Sequence, residues 1–591
     1  MVTLTSIYRY PIKGLPGEML PEVELAKGCG LPGDRQRAIQ SGALPVKPEG
    51  EWTACQAFQR LTIRPELTCY DLRSDGDVLQ VTAPSGALAE VWPESAGVAA
   101  FEGDLDGQTQ LARAAAGRGY WDHPDAAVSI INLSTVEAIG KALGREIDPL
   151  RFRGNLYVRA RPWEEFSWLG KTLRFGGVDL QIIRPIDRCK GTSVNVQTGA
   201  LDVNMPAALH QHFGHIYCGV YATVRQSGVL APGLLGAVGE EVSQEAVAQA
   251  AAVETAPPVA QWPRGAQVTS VVQETAEVRS VWLEDSLAGL GTVAGLRAGQ
   301  YVRLHNLASG GVWRSYTVSA AEGGQLRISV KRDQGAGSPA VHHVSEGDHL
   351  VISGPYGEAT LRSEAEAVTL VSAGIGITPT VAKLRQLVAA GWQKPVQVVH
   401  VARSLAEAAL WDECESLAAA LPQAVVQLHL TQANGAAESA IAGRPDLATL
   451  ARSVAQASAD VHVCGPVGFV AAFEARLAAA GIPMERVFVD RLASPGATSE
   501  MRDIPEVAPI SVTLARSKIT ATWQPSDGTL LEFAEKHGVL PPSHCRAGLC
   551  GSCKCGIKAG RATRLSGPEG EDTTQTLICC SVPSGPLVLD V

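Results

Sequence analysis

The cysteines near the end of the chain have the spacing that an iron–sulfur cluster requires. Cys545, Cys550 and Cys553 follow the pattern C-x4-C-x2-C, and the pair Cys579-Cys580 follows further along. This spacing is typical of a plant-type [2Fe–2S] cluster, in which four thiolates hold two irons. We predict Cys545, Cys550, Cys553 and Cys579 as ligands, with Cys580 as the alternative for the fourth position. Because such a centre exchanges single electrons, the rest of the chain should supply an electron source and an electron sink.

Two other interpretations of these cysteines remain open. Cys550, Cys553 and Cys555 could hold zinc together with the later pair, although C-x4-C-x2-C is not a usual zinc spacing. A disulfide framework is typical of small secreted domains, whereas this chain is long and its first residues lack a signal-peptide pattern.

Length and composition indicate several soluble domains. The chain has 591 residues, of which 46% are hydrophobic and 19% are charged, and its formal net charge is −10. The negative charge argues against nucleic acid or an anionic membrane as the main partner. No apolar run reaches the roughly 18 residues that a transmembrane helix needs, so we predict a cytoplasmic protein without membrane contact.

The first 240 residues carry scattered polar groups of chemical interest. Lys13 and Arg35 each follow a predicted strand or turn, and taken singly each is typical of a solvated surface charge. Cys189 lies between Arg188 and Lys190, and flanking cations should favour its thiolate. A thiolate is a good ligand for a soft metal, although a lone buried cysteine is the simpler alternative.

Together these segments resemble the MOSC family, which includes the amidoxime-reducing component and reductases of N-hydroxylated bases. The matching segments are Pro11-Ile-Lys13-Gly14, Gly33-Asp34-Arg35, Arg151-Phe-Arg153-Gly-Asn155, Arg188-Cys189 with Thr192, and Phe213-Gly-His215. The resemblance implies an N-terminal β-barrel domain at 1–100 and a MOSC domain at 101–240.

The resemblance also implies site residues. Cys189 would ligate the molybdenum of a molybdopterin and act as the catalytic residue. The pterin and its phosphate would be contacted by Lys13, Arg35, Arg153, Asn155 and Thr192. One residue departs from the family pattern, because Gly154 stands where the reductases often have proline, and we expect it to loosen the loop.

Three histidines and an alanine-rich segment follow. His210, His212 and His215 could bind a metal, or the first two could be polar residues at a helix end. Residues 241–263 are rich in alanine and then contain a Pro-Pro pair, so we predict a linker with transient helix.

Residues 264–360 alternate as short β-strands and resemble the flavin barrel of the ferredoxin–NADP reductase superfamily. The segment Arg314-Ser-Tyr316-Thr317 matches the signature R-x-Y-[S/T]. The resemblance implies that Arg314 pairs with a flavin phosphate, Tyr316 lies on the flavin ring and Thr317 contacts its N5 edge. Gly337 and Ser338 match the second phosphate loop. A surface hairpin is the alternative for either motif alone.

Residues 361–492 have the pattern of an α/β nucleotide-binding domain. The turn Gly374-Ile-Gly376-Ile-Thr378 joins a buried strand to a predicted helix over 380–390, where pyrophosphate binds in such folds. We predict Thr378 as the helix N-cap with proline in the first turn. Cys464-Gly465-Pro466 resembles the superfamily loop that closes on nicotinamide. Arg403 could meet the adenosine ribose or be solvated, so NADH and NADPH both remain open.

A second linker is predicted at 493–508 and a [2Fe–2S] ferredoxin-like domain at 509–591. The order flavin, nucleotide, cluster resembles that of phthalate dioxygenase reductase-like proteins. Phthalate dioxygenase reductase uses FMN, whereas the segment Gly354-Pro-Tyr356-Gly357 of this chain favours FAD. The predicted fold class is therefore multidomain α+β: two MOSC β-domains, a flavin β-barrel, an α/β nucleotide domain and a β-grasp ferredoxin domain.

The predicted function is a self-contained NAD(P)H-dependent reductase. Electrons would pass from NAD(P)H through flavin and [2Fe–2S] to molybdenum, and reduce a small N-hydroxylated substrate or an N- or S-oxide without an external redox partner. In one alternative the MOSC half carries cofactor or sulfur and the rest serves an external oxygenase. In another, Cys189 carries a persulfide. Asp187, Arg188 and His215 are unranked candidates for the proton donor.

Overall fold

The computed structural model describes most of the chain. The described residues are 2–48, 51–103, 105, 109–254, 256–306, 312–333, 337–357, 359–432, 440–491, 504–537, 539, 541, 553–565, 571–572 and 574–591. The chain divides into two compact units, one formed by 1–257 with 497–591 and the other by 258–496. No helix in the described part is long and apolar enough to cross a membrane.

The first 257 residues are mostly β-structure. Their strands are β1 (Val2–Arg9), β2 (Ile12–Lys13), β3 (Glu18–Leu20), β4 (Val23–Leu25), β5 (Arg37–Ile39), β6 (Asp71–Asp75), β7 (Val78–Thr82), β8 (Leu88–Val91), β9 (Leu111–Arg113), β10 (Val128–Asn132), β11 (Leu156–Arg159), β12 (Thr172–Phe175), β13 (Val178–Asp187), β14 (Tyr217–Gln226), β15 (Gly228–Leu230) and β16 (Leu235–Val238). The helices are α1 (Leu133–Ala142), α2 (Met205–Phe213) and α3 (Gln244–Ala251).

An eight-stranded sheet organises this half, in the order β11-β10-β14-β13-β12-β16-β1-β3, and β1 also pairs with β11. Strand β1 therefore joins the first segment of the chain to the sheet of the following one. Both β10 and most of β13 are buried along their length, as expected for strands covered on both faces. Smaller sheets in this half have the strand orders β2-β5-β9 and β6-β7-β8.

Part of the segment predicted as a linker at 241–263 is packed structure. Helix α3 buries Ala246, Val247 and Ala250. Its capping residue Ser243 donates its backbone N–H to the Gly170 carbonyl, with an N···O distance of 2.7 Å. This is slightly shorter than the distance of about 2.9 Å that is typical of such bonds. The alanine stretch is therefore helical because its apolar face has a surface to cover.

The second unit combines a closed barrel with a parallel sheet. The barrel strands are β17 (Arg264–Gln273), β18 (Val278–Asp285), β19 (Tyr301–Asn306), β20 (Val312–Glu322), β21 (Gln325–Lys331) and β22 (His349–Tyr356), with helix α4 (Ser338–His343). The parallel strands are β23 (Val368–Ala373), β24 (Val396–Ala402), β25 (Ala424–Leu430), β26 (Ala440–Ala442), β27 (Asp460–Gly465) and β28 (Val487–Arg491). The helices are α5 (Ile377–Ala389), α6 (Trp411–Ala419), α7 (Leu447–Ala457) and α8 (Val467–Ala479).

Strand order in the parallel sheet is β26-β25-β24-β23-β27-β28. From β23 the chain first adds strands on one side, β24 to β26, and then returns to add β27 and β28 on the other side. Open α/β sheets bind ligands at such a reversal of strand order. Strand β23 is buried at every residue, and α5 covers it through Ile377, Val381 and Leu384 at helical spacing.

The last segment is a small mixed domain. Its strands are β29 (Ile510–Leu514), β30 (Ile519–Trp523), β31 (Lys554–Ala559), β32 (Ala562–Arg564), β33 (Glu571–Asp572), β34 (Gln575–Leu577), β35 (Ser581–Pro583) and β36 (Leu587–Leu589), with helix α9 (Leu530–Lys536). Helix α9 starts with a capping box between Thr529 and Glu532, and Phe533 packs into the core with Trp523.

Candidate functional site

Cys189 stands at the start of a tight turn directly after β13. The Thr192 hydroxyl donates to the Cys189 carbonyl at 2.9 Å, so Thr192 shapes the turn. A Cβ on Gly191 would lie 3.4 Å from the Cys189 Sγ and within 4 Å of Leu61 and Thr62. At Gly191 the turn therefore packs against the segment that contains Leu61 and Thr62.

The expectation that Arg188 favours the Cys189 thiolate is wrong. The Arg188 guanidinium turns away and donates to the carbonyls of Cys218 at 2.8 Å and Phe152 at 3.0 Å. Burial, and then the nearby Asp122 carboxylate, raise the pKa of Cys189 to about 11. The inference from sequence adjacency failed because neighbouring side chains in an extended backbone point in opposite directions.

Arg35 and Arg153 meet around one aromatic ring, and Lys13 lies near them through Asp122, which pairs with Lys13 and also interacts with both arginines. We call Lys13, Arg35 and Arg153 the cation cradle. The guanidinium carbons of Arg35 and Arg153 lie 4.7 and 4.3 Å from the centre of the Tyr10 ring. Arg35 also donates to the Arg153 carbonyl at 2.7 Å. The structure therefore brings together three residues that are far apart in sequence.

Two carboxylates partly neutralise the cation cradle. Asp34 pairs with Arg35 at 2.6 Å, and Asp122 pairs with the Lys13 ammonium at 2.5 Å. Burial, followed by repulsion from Arg35, lowers the pKa of Arg153 to about 10. Three cations against two carboxylates leave a positive surplus, which fits an anionic group such as a phosphate.

The side chain of Asn155 is hydrogen-bonded to neighbouring strands. Its side-chain oxygen accepts hydrogen bonds from the Ser129 backbone N–H and hydroxyl, and its amide donates to the Tyr8 carbonyl at 3.3 Å. The residue is 1% exposed. These contacts join β10, β11 and β1, so Asn155 acts by holding the sheet together.

Gly154 is tightly packed, contrary to the expectation of a looser loop. A Cβ at this position would overlap Ile131 Cγ1. The Gly154 backbone N–H donates to the Tyr157 hydroxyl at 3.1 Å. Arg153 before it has a left-handed backbone with φ of 50°, which aims its guanidinium at Tyr10. The loop is therefore fixed by packing with Ile131.

Sequence reasoning missed the segment 120–125, which supplies polar groups beside Cys189. Besides the Asp122 pair, the Lys13 ammonium donates to the Tyr120 carbonyl at 2.8 Å. The buried His123 ring lies 3.8 Å from the Asp187 carboxylate. A dense polar run, Asp-His-Pro-Asp, just before the buried strand β10 was the available signal.

His210, His212 and His215 do not converge on a metal site. In the described residues no group of three or more His, Cys, Asp or Glu side chains is arranged to hold a metal ion. His215 is buried edge-on between Trp163 and Phe166, with ring centres 5.3 Å apart in both cases. Its Nδ1 accepts from the Tyr217 backbone N–H, so its role is in packing.

The two predicted flavin motifs lie side by side in the barrel. Arg314, Tyr316 and Thr317 are half-buried on β20. A Cβ on Gly337 would overlap Arg314 Cγ and reach 3.0 Å from the Tyr316 hydroxyl. Ser338 begins α4, and its hydroxyl accepts from the Asp333 backbone N–H at 3.0 Å. Only a glycine at 337 lets the loop approach β20 this closely.

The two predicted nucleotide motifs are also in contact. A Cβ on Gly376 would overlap the Cys464 carbonyl, and Gly374 has a φ of +57°. Gly465 contacts β23 at Ala373, and Pro466 caps α8. The glycine turn and the Cys464-Gly465-Pro466 loop therefore form one edge of the sheet, at the reversal of strand order.

Thr378 is not the N-cap of α5. The helix begins at Ile377 with Gly376 as its cap, and the Thr378 hydroxyl donates back to the Ile375 carbonyl at 3.1 Å. The glycine turn runs straight into the helix, so the helix starts earlier than a threonine cap predicts. Arg403 is paired with Glu407 at 2.5 Å.

Two of the predicted cluster ligands are described, and they lie together. The thiol sulfurs of Cys553 and Cys579 are 3.0 Å apart and both residues are buried. The Cys580 sulfur lies 3.4 Å from the Leu577 carbonyl and its thiol also interacts with that of Cys579. Cys545 and Cys550 lie outside the described residues. Two converging buried thiols fit a soft metal centre.

Comparison with known proteins identifies four domains along the chain. The MOSC domain family matches residues 118–240, the oxidoreductase FAD-binding domain 269–361, the oxidoreductase NAD-binding domain 370–475 and the 2Fe-2S iron-sulfur cluster binding domain 512–584.

Individual relatives match the second half of the chain. "NADH oxidoreductase HCR" of Escherichia coli (strain K12) is 29% identical over 344 residues, 56% of this chain and 99% of that protein. A flavohemoprotein of Deinococcus radiodurans is 32% identical over 234 residues, 38% of this chain, and the chain spans 58% of its length. The structure of phthalate dioxygenase reductase is 24% identical, covers 56% of this chain and 98% of its own, and has a TM-score of 0.33.

The domain matches and relatives define the class of protein. The chain joins a MOSC domain to a reductase module that contains flavin-binding, nicotinamide-binding and [2Fe–2S] domains. It is an NAD(P)H-dependent oxidoreductase.

Proposed function

We propose that this oxidoreductase reduces small N-hydroxylated compounds, or N- and S-oxides, at a molybdenum cofactor in its MOSC half. The electron path would run from NAD(P)H through flavin and [2Fe–2S] to molybdenum within one cytoplasmic chain, without an external redox partner. The observation that carries this proposal is the proximity of Cys189 to Asp122, which pairs with Lys13 of the cation cradle.

The residues around Cys189 fit a molybdopterin. Cys189 offers a soft sulfur ligand, and its raised pKa means that metal binding would release a proton. Lys13, Arg35 and Arg153 would hold the anionic phosphate and pterin, while Thr192 and Asn155 would act indirectly by fixing the turn and the sheet. Lys13 is nearly buried and already oriented by Asp122, so little ordering would be needed on binding.

The bound cofactors would supply the redox chemistry: conversion of electron pairs to single electrons at the flavin, single-electron storage at the cluster, and oxygen removal at the molybdenum. The protein's residues would position them. We propose Arg314, Tyr316, Thr317, Gly337 and Ser338 for the flavin, with FAD preferred to FMN.

The nicotinamide nucleotide is assigned to the edge of the parallel sheet, and the [2Fe–2S] cluster is assigned to the converging thiols. We propose Gly374, Gly376, Thr378 and the Cys464-Gly465-Pro466 loop for NADH or NADPH. Cys545, Cys550, Cys553 and Cys579 are proposed as cluster ligands. The 3.0 Å approach of Cys553 to Cys579 supports the choice of Cys579, and Cys580, whose thiol also interacts with Cys579, is the alternative.

We propose His123, with Asp187 beside it, as the proton donor in place of Arg188 and His215. Arg188 is engaged with two backbone carbonyls, and His215 lies among aromatic rings. His123 neighbours Asp122 in sequence and Asp187 in space, and Asp187 ends the strand that leads to Cys189.

Electron paramagnetic resonance of the full chain tests the proposal. Protein from a molybdenum-replete host, shown to contain molybdenum, would be partly reduced with NADH or NADPH without oxygen. We expect a molybdenum signal together with the reduced [2Fe–2S] signal. A cluster signal alone would overturn the proposal and favour a MOSC half that carries cofactor or sulfur. Mass spectrometry of Cys189 would then detect a persulfide.

A further inference from the structure

Glu413 joins the two domains of the 258–496 unit through two arginines. It lies on α6 of the nucleotide-binding domain, and its carboxylate receives two hydrogen bonds from Arg327 on barrel strand β21, at 2.8 and 3.0 Å. Arg385 on α5 donates to the same carboxylate at 2.6 Å. We call Glu413, Arg327 and Arg385 the Glu413 clamp.

The clamp is partly buried, and Arg385, with 31% of its side chain exposed, is its most accessible member. Arg327 has a side-chain exposure of 8% and Glu413 of 22%. The Arg327 Nε donates to the Ser319 hydroxyl at 2.9 Å, so the guanidinium is held from both sides. Burial would raise the pKa of Glu413, but the two arginines outweigh it and lower the pKa. A bidentate arginine pair fixes orientation as well as distance.

The barrel holds α5 at further points. Arg385 continues to Glu322 at the end of β20. The Gln386 side chain accepts from the Ala298 backbone N–H of the barrel at 2.9 Å. The Lys383 side chain packs against Gly299, where an added Cβ would lie 3.1 Å from the Lys383 Cε. These contacts place the same helix against both strands and loops of the barrel.

Helix α5 begins at the glycine turn of the nucleotide site. Ile377 follows Gly376 directly, and that turn contacts Cys464. A rigid helix transmits a displacement of its middle to its first turn. The contacts of Arg385 and Gln386 therefore set where the nucleotide site lies relative to the barrel that carries Arg314 and Tyr316.

We propose that Glu413 is a positioning residue for hydride transfer, which fixes the orientation of the NAD-binding domain on the flavin barrel. It acts through α5 and touches neither nucleotide nor flavin. The inference rests on the oxidoreductase assignment and is independent of the molybdenum proposal, because its tests end at the flavin.

Glu413→Gln in the full chain tests this role by stopped-flow measurement of flavin reduction without oxygen. The amide removes the charge that both arginines share while keeping the volume. We expect the limiting reduction rate at saturating NADH to fall about tenfold to a hundredfold, the effect of a displacement near 1 Å. The NADH dissociation constant should change by less than about threefold, since the glycine turn is intact.

Two controls separate positioning from stability. Glu366→Gln removes an exposed ion pair with Lys394, 3.3 Å long, that lies within the nucleotide-binding domain, and should leave the rate unchanged. Arg327→Lys keeps the charge but loses the bidentate geometry, so a smaller fall is expected. With deuterated NADH, the isotope effect of Glu413→Gln should be at least as large as that of the unmodified chain.

The proposal fails if Glu413→Gln reduces its flavin at the normal limiting rate. It also fails if the rate falls only in proportion to lost flavin or lost folded protein, measured by flavin absorbance and circular dichroism. Should Glu413→Gln not fold, Arg327→Lys with an unchanged rate would overturn it equally.

Discussion

The Cys189 site and the Cys553 site are assembled in opposite ways. The Cys189 site is built from Lys13, Arg35, Asp122 and Arg153, which come from widely separated segments: the two arginines meet around Tyr10, and Asp122 pairs with Lys13. Three of the proposed cluster ligands instead lie in the single segment 545–553. A site built from one short segment can be predicted from sequence. A site built from many segments cannot, because it depends on the sheet that brings them together.

The largest expected effect is the loss of turnover on replacing Cys189 by alanine. Reduction of N-hydroxylated substrate should fall to background, because the proposed metal ligand is gone. NAD(P)H-driven reduction of ferricyanide should be unchanged, because the flavin and nucleotide motifs lie in the separate 258–496 unit. Substrate reduction at the normal rate would remove the molybdenum assignment.

The cluster site gives the next contrast, between two adjacent cysteines. Cys579→Ala should abolish the [2Fe–2S] absorbance, since its sulfur converges with that of Cys553. Cys580→Ala is the matched control and should retain the cluster, because the Cys580 sulfur faces a backbone carbonyl. The reverse pattern would make Cys580 the fourth ligand.

Gly154→Ala tests whether packing fixes the cation cradle. The added Cβ would overlap Ile131, so we expect the MOSC half to lose up to about 3 kcal/mol of stability. Hydrogen exchange of peptides from β10 and β11 in increasing urea would measure this. Gly177→Ala, where a Cβ meets nothing within 4 Å, should change little. Equal effects of the two substitutions would contradict the packing argument.

The smallest expected effect is a pH dependence of stability in the 258–496 unit, which buries a neutral histidine. His400 bonds to the Ser372 hydroxyl at 2.8 Å and stacks on Trp411, and burial lowers its pKa to about 4. The unfolded chain binds a proton near pH 6.5, so this contribution is complete above that pH and is lost as pH falls toward 4. At pH 5 the loss should be roughly 2 kcal/mol.

The urea midpoint of flavin release at pH 7 and pH 5 measures this dependence. His400→Gln cannot take up the proton and should weaken the dependence, to which the buried His342, His429 and His462 also contribute because burial lowers the pKa of each. His349→Gln, at an exposed barrel position, should preserve the dependence. A pH dependence unchanged by His400→Gln would assign it to other groups.

Much of the reductase half followed from sequence because its motifs are local. The flavin signature on β20, the glycine turn after β23 and the Cys464-Gly465-Pro466 segment at the end of β27 each occupy a few consecutive residues. The start of α5 was predicted wrongly, since a glycine turn can enter a helix without the threonine cap that composition favours.

The sequence determined the domain classes, the cluster spacing and Cys189 as the residue of interest, because those depend on residue type and short-range order. Only the tertiary structure decided the electrostatics of Cys189, where Arg188 turns away and Asp122 approaches. Tertiary structure also gave Asn155 its structural role and linked Glu413 to the barrel. These properties depend on which side of a strand faces which neighbour, and that is set by sheet pairing between segments far apart in the chain.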